Sequence, residues 1–186
     1  MNARTLVAVI ALALALSELA CQAGRSRRPP DLSGRWRALR IEWTQNERRV
    51  HLTADGEMHM GRFRLPQRPA SFEPMIQAMQ HVRVDVTQSG RDVRGSLHAD
   101  SDAPASLLRQ IDAQPGSTIA EFEGSLVNDT LGAVVVTVPD GRRRDVIIRI
   151  EDRGRRIVAR AVPVFGETTE QASDVVLVRQ LGPGTR

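Results

Sequence analysis

Four histidines, one cysteine, 22 acidic and 26 basic residues carry whatever chemistry this 186-residue chain can do. Every basic residue is an arginine, and the chain holds no lysine and no tyrosine. Schiff-base chemistry, a lysine-bearing phosphate loop and tyrosine proton relays are excluded. His51 and His59 flank a turn at 54–56 and can approach across a hairpin. Two such histidines begin a metal site, but a third ligand is needed. The nearest acids, Asp55 and Glu57, are ordinary turn residues, so the reading is no metal and no cofactor. There is no Gly-x-Ser-x-Gly, and no serine stands with an evident histidine and acid. Glu42, Asp85, Glu121, Glu123 and Asp145 alternate with arginine or apolar neighbours. Paired carboxylates can do acid–base work. Cross-strand ion pairs with Arg83, Arg149 and Arg160 are the favoured reading. No catalytic constellation is legible, and the expectation is a protein that is not an enzyme.

The composition is 41% hydrophobic, 26% charged and 3% aromatic, enough for one domain with its own core. An isoelectric point near 10.9 contrasts with a net charge of only +4. Almost nothing titrates between histidine and arginine here, so the high value reflects missing buffers. Acids are mixed through the arginines and only six aromatics exist, which argues against nucleic acid as a partner.

The N-terminus reads as an address. Leu6 to Leu16 is an unbroken apolar run of 11 residues after Arg4. A bilayer crossing needs about 20. The run fits the apolar stretch of a secretory signal. Ala20-Cys21 follows, and the segment resembles a bacterial lipoprotein signal. That resemblance implies cleavage before Cys21, lipid attachment at Cys21 and a membrane partner through the anchor. Gln22 then resembles the outer-membrane sorting class, which places the chain on the periplasmic side of the outer membrane. Ordinary secretion with cleavage after Ala23 is the alternative. The division is a signal peptide over 1–20, a flexible tether over 21–32 and one domain over 33–186. Gly, Ser and paired Pro favour an extended tether.

From Ser33 onward the dominant period is two. His81–Val86 alternates, and Val134, Val136 and Val138 fall on one face, as do Val146, Ile148 and Ile150. Strands are expected at 33–43, 47–53, 57–65, 81–88, 91–99, 117–126, 131–138, 142–150, 155–163 and 173–179. A strand, a polar turn ending in Gly, then a tiny residue five positions on recurs around Gly56/Gly61, Gly90/Gly95 and Gly154/Ala159. Turn glycines supply positive φ, and the later small residue marks a bend or close approach. Helices are expected over 71–80 and 102–112, the second with Asp102 as N-cap and Pro104 in its first turn. Strand parity places turns 54–56, 89–90, 127–130 and 151–154 at one end with both termini. The long connections 66–80, 100–116 and 164–172 fall at the other end, with turns 44–46 and 139–141. The expected fold is all-β, an antiparallel up-and-down barrel of 8–10 strands with one or two short helices. Closure removes exposed strand edges. A membrane-spanning barrel is disfavoured, because aromatic girdles are lacking.

Gly34-Arg35-Trp36 is similar to the Gly-x-Trp opening of lipocalins and their calycin relatives. The resemblance implies that Trp36 closes the barrel base under an arginine from the last strand, here Arg179. Avidin-like barrels open the same way, but the tryptophans of a biotin pocket are missing. The inward faces are rich in valine, which can leave a cavity. The expected mouth comprises Phe72, Met75, Met79, Leu107, Leu108 and Phe165, with Arg142, Arg143 and Arg144 able to meet an anionic headgroup. The leading functional expectation is non-catalytic binding of an apolar or amphipathic small molecule. The alternative is a filled barrel serving as an interaction module of the cell envelope. Oligomeric state is not legible.

Overall fold

The computed structural model describes residues 29–162 and 173–180. The described residues form eleven strands. Eight of them close into an antiparallel barrel. These are β1 (Gly34–Gln45), β5 (Val82–Ser89), β6 (Asp92–Ala99), β7 (Thr118–Leu126), β8 (Leu131–Thr137), β9 (Arg143–Glu151), β10 (Arg156–Ala161) and β11 (Asp174–Arg179). Each pairs with the next, and β11 returns to β1 in a register that sets Trp36 opposite Arg179. Closure leaves no barrel strand with a bare edge.

The remaining strands, β2 (Arg48–Thr53), β3 (Met58–Met60) and β4 (Phe63–Arg64), build a side sheet on β1. The first part of β1, Gly34–Arg37, pairs with β5. Its second part, Arg40–Gln45, pairs with β2. The change of partner coincides with a register irregularity between Ala38 and Arg40. A bulge bends a strand and re-aims it, here turning β1 from β5 toward β2 while it keeps its pairing to β11 as far as Glu42.

The up-and-down order of the barrel matches the parity reading, with three differences. The single strand expected over 57–65 is two short strands, turning at Gly61 with φ +60°. The turn at 54–56 lies beside Leu39, whose carbonyl accepts from the Ala54 amide at 3.0 Å. That is the helix-bearing end, not the base, because β2 pairs only with the second part of β1. The tether also ends earlier than expected: Leu32 is fully buried among the barrel's core residues. Residues 1–28, including Cys21, lie outside the described residues.

Two short helices occupy the long connections. Helix α1 (Glu73–His81) has Pro74 in its first turn, with Glu73 at its N-terminus and His81 in its last turn. All three suit a helix start and its dipole. Helix α2 (Ala105–Gln110) begins later than expected, with Pro104 at the cap position and no side-chain cap. Asp102 instead approaches His81 Nδ1 at 3.6 Å. Among the described residues, no helix is long and apolar enough to cross a membrane.

Three apolar clusters hold these pieces. The barrel's own cluster includes Trp36, Val84, Val86, Val93, Ile148 and Ile157. The side sheet packs Val50, Leu52 and Met58 on Ile76 and Met79 of α1. Leu107 and Leu108 of α2 pack on Ala99 and Ala103.

Candidate functional site

The inward positions of the barrel are mostly valine, isoleucine and alanine, which are too small to meet at its axis. The result is a cavity of about 450 Å³. It runs from Leu32 at the base to Met75, Ala78 and Met79 of α1 and Ile111 after α2. Of its lining residues only Ser173, at the mouth end, is polar. A group buried deeper meets no hydrogen-bonding side chain, so a polar or charged group there would cost several kcal/mol. The volume lies within the usual range for small-molecule sites, roughly 300–1,000 Å³. The outer face is charged, as with Arg160, Asp174 and Glu42. Apolar inside and charged outside is the reverse of a membrane-spanning barrel.

Three residues meet beside Leu32 at the base. Trp36 is fully buried and its indole N–H donates to the Leu32 carbonyl at 2.9 Å. The Arg179 guanidinium lies 5.4 Å from the Trp36 ring centroid. Its Nη2 donates to the Asp31 carbonyl at 2.5 Å and the Ser33 carbonyl at 2.7 Å. Gly34 sits between them at φ +130°, a backbone conformation that L side chains rarely adopt.

The expected mouth residues divide. Met75 and Met79 line the cavity, Met79 buried and Met75 43% exposed at the rim. Phe72 instead stacks on Trp43 at 5.6 Å, because it precedes α1 and faces the side sheet. Leu107 and Leu108 turn into the cluster between α2 and the end of β6. Arg142 lies in the β8–β9 turn, held by Asp140 at 2.6 Å. Arg143 pairs with Thr137 on the outward row. Arg144 pairs with Val136, a lining residue, and so occupies the inward-facing row at the rim. Phe165 lies outside the described residues. Leu32, Ile41, Ile111 and Ser173 also line the cavity, unanticipated. Leu32 shares the parity of Gly34 and Trp36, so extending the alternation backwards would have found it.

His51 and His59 are direct cross-strand partners, with rings stacked at 4.8 Å and 8°. His59 Nε2 lies 3.3 Å from Glu57 Oε2. The His51 pKa is lowered by partial burial, then by His59 and the neighbouring Arg40 and Arg49. His81, Asp100 and Asp102 bring ligand atoms within 4.8 Å of one another. Asp100 is already engaged by Arg37 Nη2 at 2.5 Å and Arg83 Nη1 at 3.6 Å. Two guanidiniums on the central carboxylate oppose a cation there.

No protein-family model matches the chain, and no curated protein matches its sequence.

Proposed function

We propose that this chain is a non-catalytic binding protein for an apolar or amphipathic small molecule, exported and anchored through a lipid on Cys21. The single observation that carries the binding reading is the cavity: about 450 Å³, lined almost wholly by hydrocarbon and reachable beside α1. Apolar surface leaving water contributes about 25 cal/mol per Å². A ligand body seated between Leu32 and Met75 gains that term on every face. With polar lining confined to Ser173, a polar head would stay at the mouth. The lipocalin-like reading rests on the eight-strand closure and on Trp36 beneath Arg179. The anchor and its periplasmic placement rest on the Leu6–Cys21 pattern.

Native mass spectrometry of the protein taken gently from its own cell envelope tests both parts. The expected result is a stoichiometric extra mass lost on denaturation, with an N-terminal peptide carrying diacylglycerol at Cys21. An unliganded protein that also takes up no fatty acid or apolar dye would overturn the binding reading. It would leave the envelope interaction module in its place.

A further inference from the structure

We propose that the tip of the side sheet docks on an anionic phospholipid surface. The inner face of that sheet carries one apolar row in direct register: Trp43 on β1, Val50 on β2, Met60 on β3 and Phe63 on β4. Helix α1 and Phe72 cover the first members. Phe63 is left 76% exposed, the highest value among the exposed large hydrophobic residues described. Four arginines share these hairpins, Arg62 and Arg64 beside Phe63 in sequence and Arg48 and Arg49 on β2, with Arg49 and Arg64 on the opposite face of the sheet. The Gly61 amide bonds to the Arg49 carbonyl at 2.9 Å, which holds the two hairpins together. Arg49 reaches Glu42 at 3.3 Å and Arg64 reaches Glu57 at 3.0 Å. Arg48 and Arg62 enter no ion pair among the described residues.

An exposed aromatic ring on an edge strand, with Arg48 and Arg62 on the same hairpins free of ion pairs among the described residues, fits an interface where headgroups are negative and acyl chains begin just below. A second copy of this chain is a poor occupant, since it would bring the same positive charges to a two-residue edge strand. The tip is also placed to reach a surface. β1 runs three residues past its last barrel pair, Glu42 with Asp174, about 10 Å at the usual strand rise, and Phe63 is level with Trp43, the first of them, three strands out to the side. The cavity mouth at α1 lies at this end, so docking sets the opening toward lipid.

The test uses the full chain carrying Phe63→Trp, with phosphatidylcholine vesicles with and without phosphatidylglycerol. Brominated acyl chains serve as a quencher, and wild type, with Trp36 and Trp43 alone, is the background. The expected result is a blue-shifted, quenched emission that appears only with phosphatidylglycerol. Adding Arg48→Gln and Arg62→Gln should weaken partitioning about 30-fold, as two surface arginines predict. This local signal is independent of anything the N-terminal segment does on the vesicle. No quenching beyond background would overturn the proposal, as would equal partitioning of the arginine variants. A shift that grows with protein concentration in the absence of vesicles would give the edge to a second copy and overturn it too.

Discussion

At the scale of single residues, the barrel base shows how much one side chain can do. Arg179 sits opposite Trp36, covers its ring at 5.4 Å and binds the carbonyls of Asp31 and Ser33. It therefore ties the entering chain, the first strand and the last strand into one joint. A guanidinium over an indole contributes about 0.5–2 kcal/mol. A hydrogen bond from a charged donor contributes about 1.5–3 kcal/mol where it is shielded. Arg179 is about a quarter exposed, so Arg179→Gln is expected to cost about 2 kcal/mol at the lower end of these ranges. Thermal unfolding should show a Tm lower by about 5 °C for a chain of this size. An unchanged Tm would mean that the arginine is ornamental. The pair Trp36 and Arg179 was legible as a motif. Their acceptors were not, because a backbone carbonyl has no signature in the sequence.

At the scale of elements, strand register creates a charge row that no single segment discloses. Across the outer face, Arg160, Asp174, Glu42, His51, His59 and Arg64 are successive direct partners on β10, β11, β1, β2, β3 and β4. Glu42 and Asp174 face each other across the barrel seam, 7% and 3% exposed. Like charges in that position repel. Arg160 offsets this with two bonds to Asp174 at 2.5 and 2.8 Å, and Arg40 and Arg49 engage Glu42. The sequence points to cross-strand ion pairing for Glu42 and does not single out Asp174. It found the chemistry and missed the burial, because arginines folding over a strand depend on register. The stacked histidines lie next in the row. His51 has a lowered pKa in the fold, against an ordinary value of 6.5. The unfolded chain thus binds this proton more readily than the folded one. Stability is fully present above pH 6.5 and falls as pH drops toward the lowered folded value. Denaturation at about pH 7.5 and at about pH 5, on either side of the usual histidine range, should show a smaller loss for His51→Gln than for wild type. Parallel losses would show that the pair is not the sensitive element.

At the scale of the whole molecule, the barrel was legible and the side sheet was not. Alternation and turn glycines revealed the strands and their order, since both are local properties. Nothing local says that β1 outruns β5, and the parity argument therefore put the 54–56 turn at the wrong end. The glycine pattern was half informative. Gly95 marks a true close approach, where an added Cβ would lie 2.1 Å from the Asp85 carbonyl and 2.4 Å from the Phe122 ring. Gly61 merely turns a hairpin. The cavity is the global consequence: eight strands set the barrel's girth, and small inward side chains leave its axis open. A substitution that fills this space separates an open lumen from a packed one. Ala159 lines the cavity between Ile148 on β9 and Val175 on β11. In Ala159→Phe the ring is expected to occupy the lumen, cutting apolar-dye affinity by about tenfold or more while leaving Tm equal or raised. Cavity filling commonly stabilises, because the added apolar surface finds partners without displacing any. Undiminished dye binding would place the ligand outside the barrel. A collapse in Tm would mean that the lumen tolerates no added volume, as in a filled core, and overpacking of that kind costs about 1–3 kcal/mol.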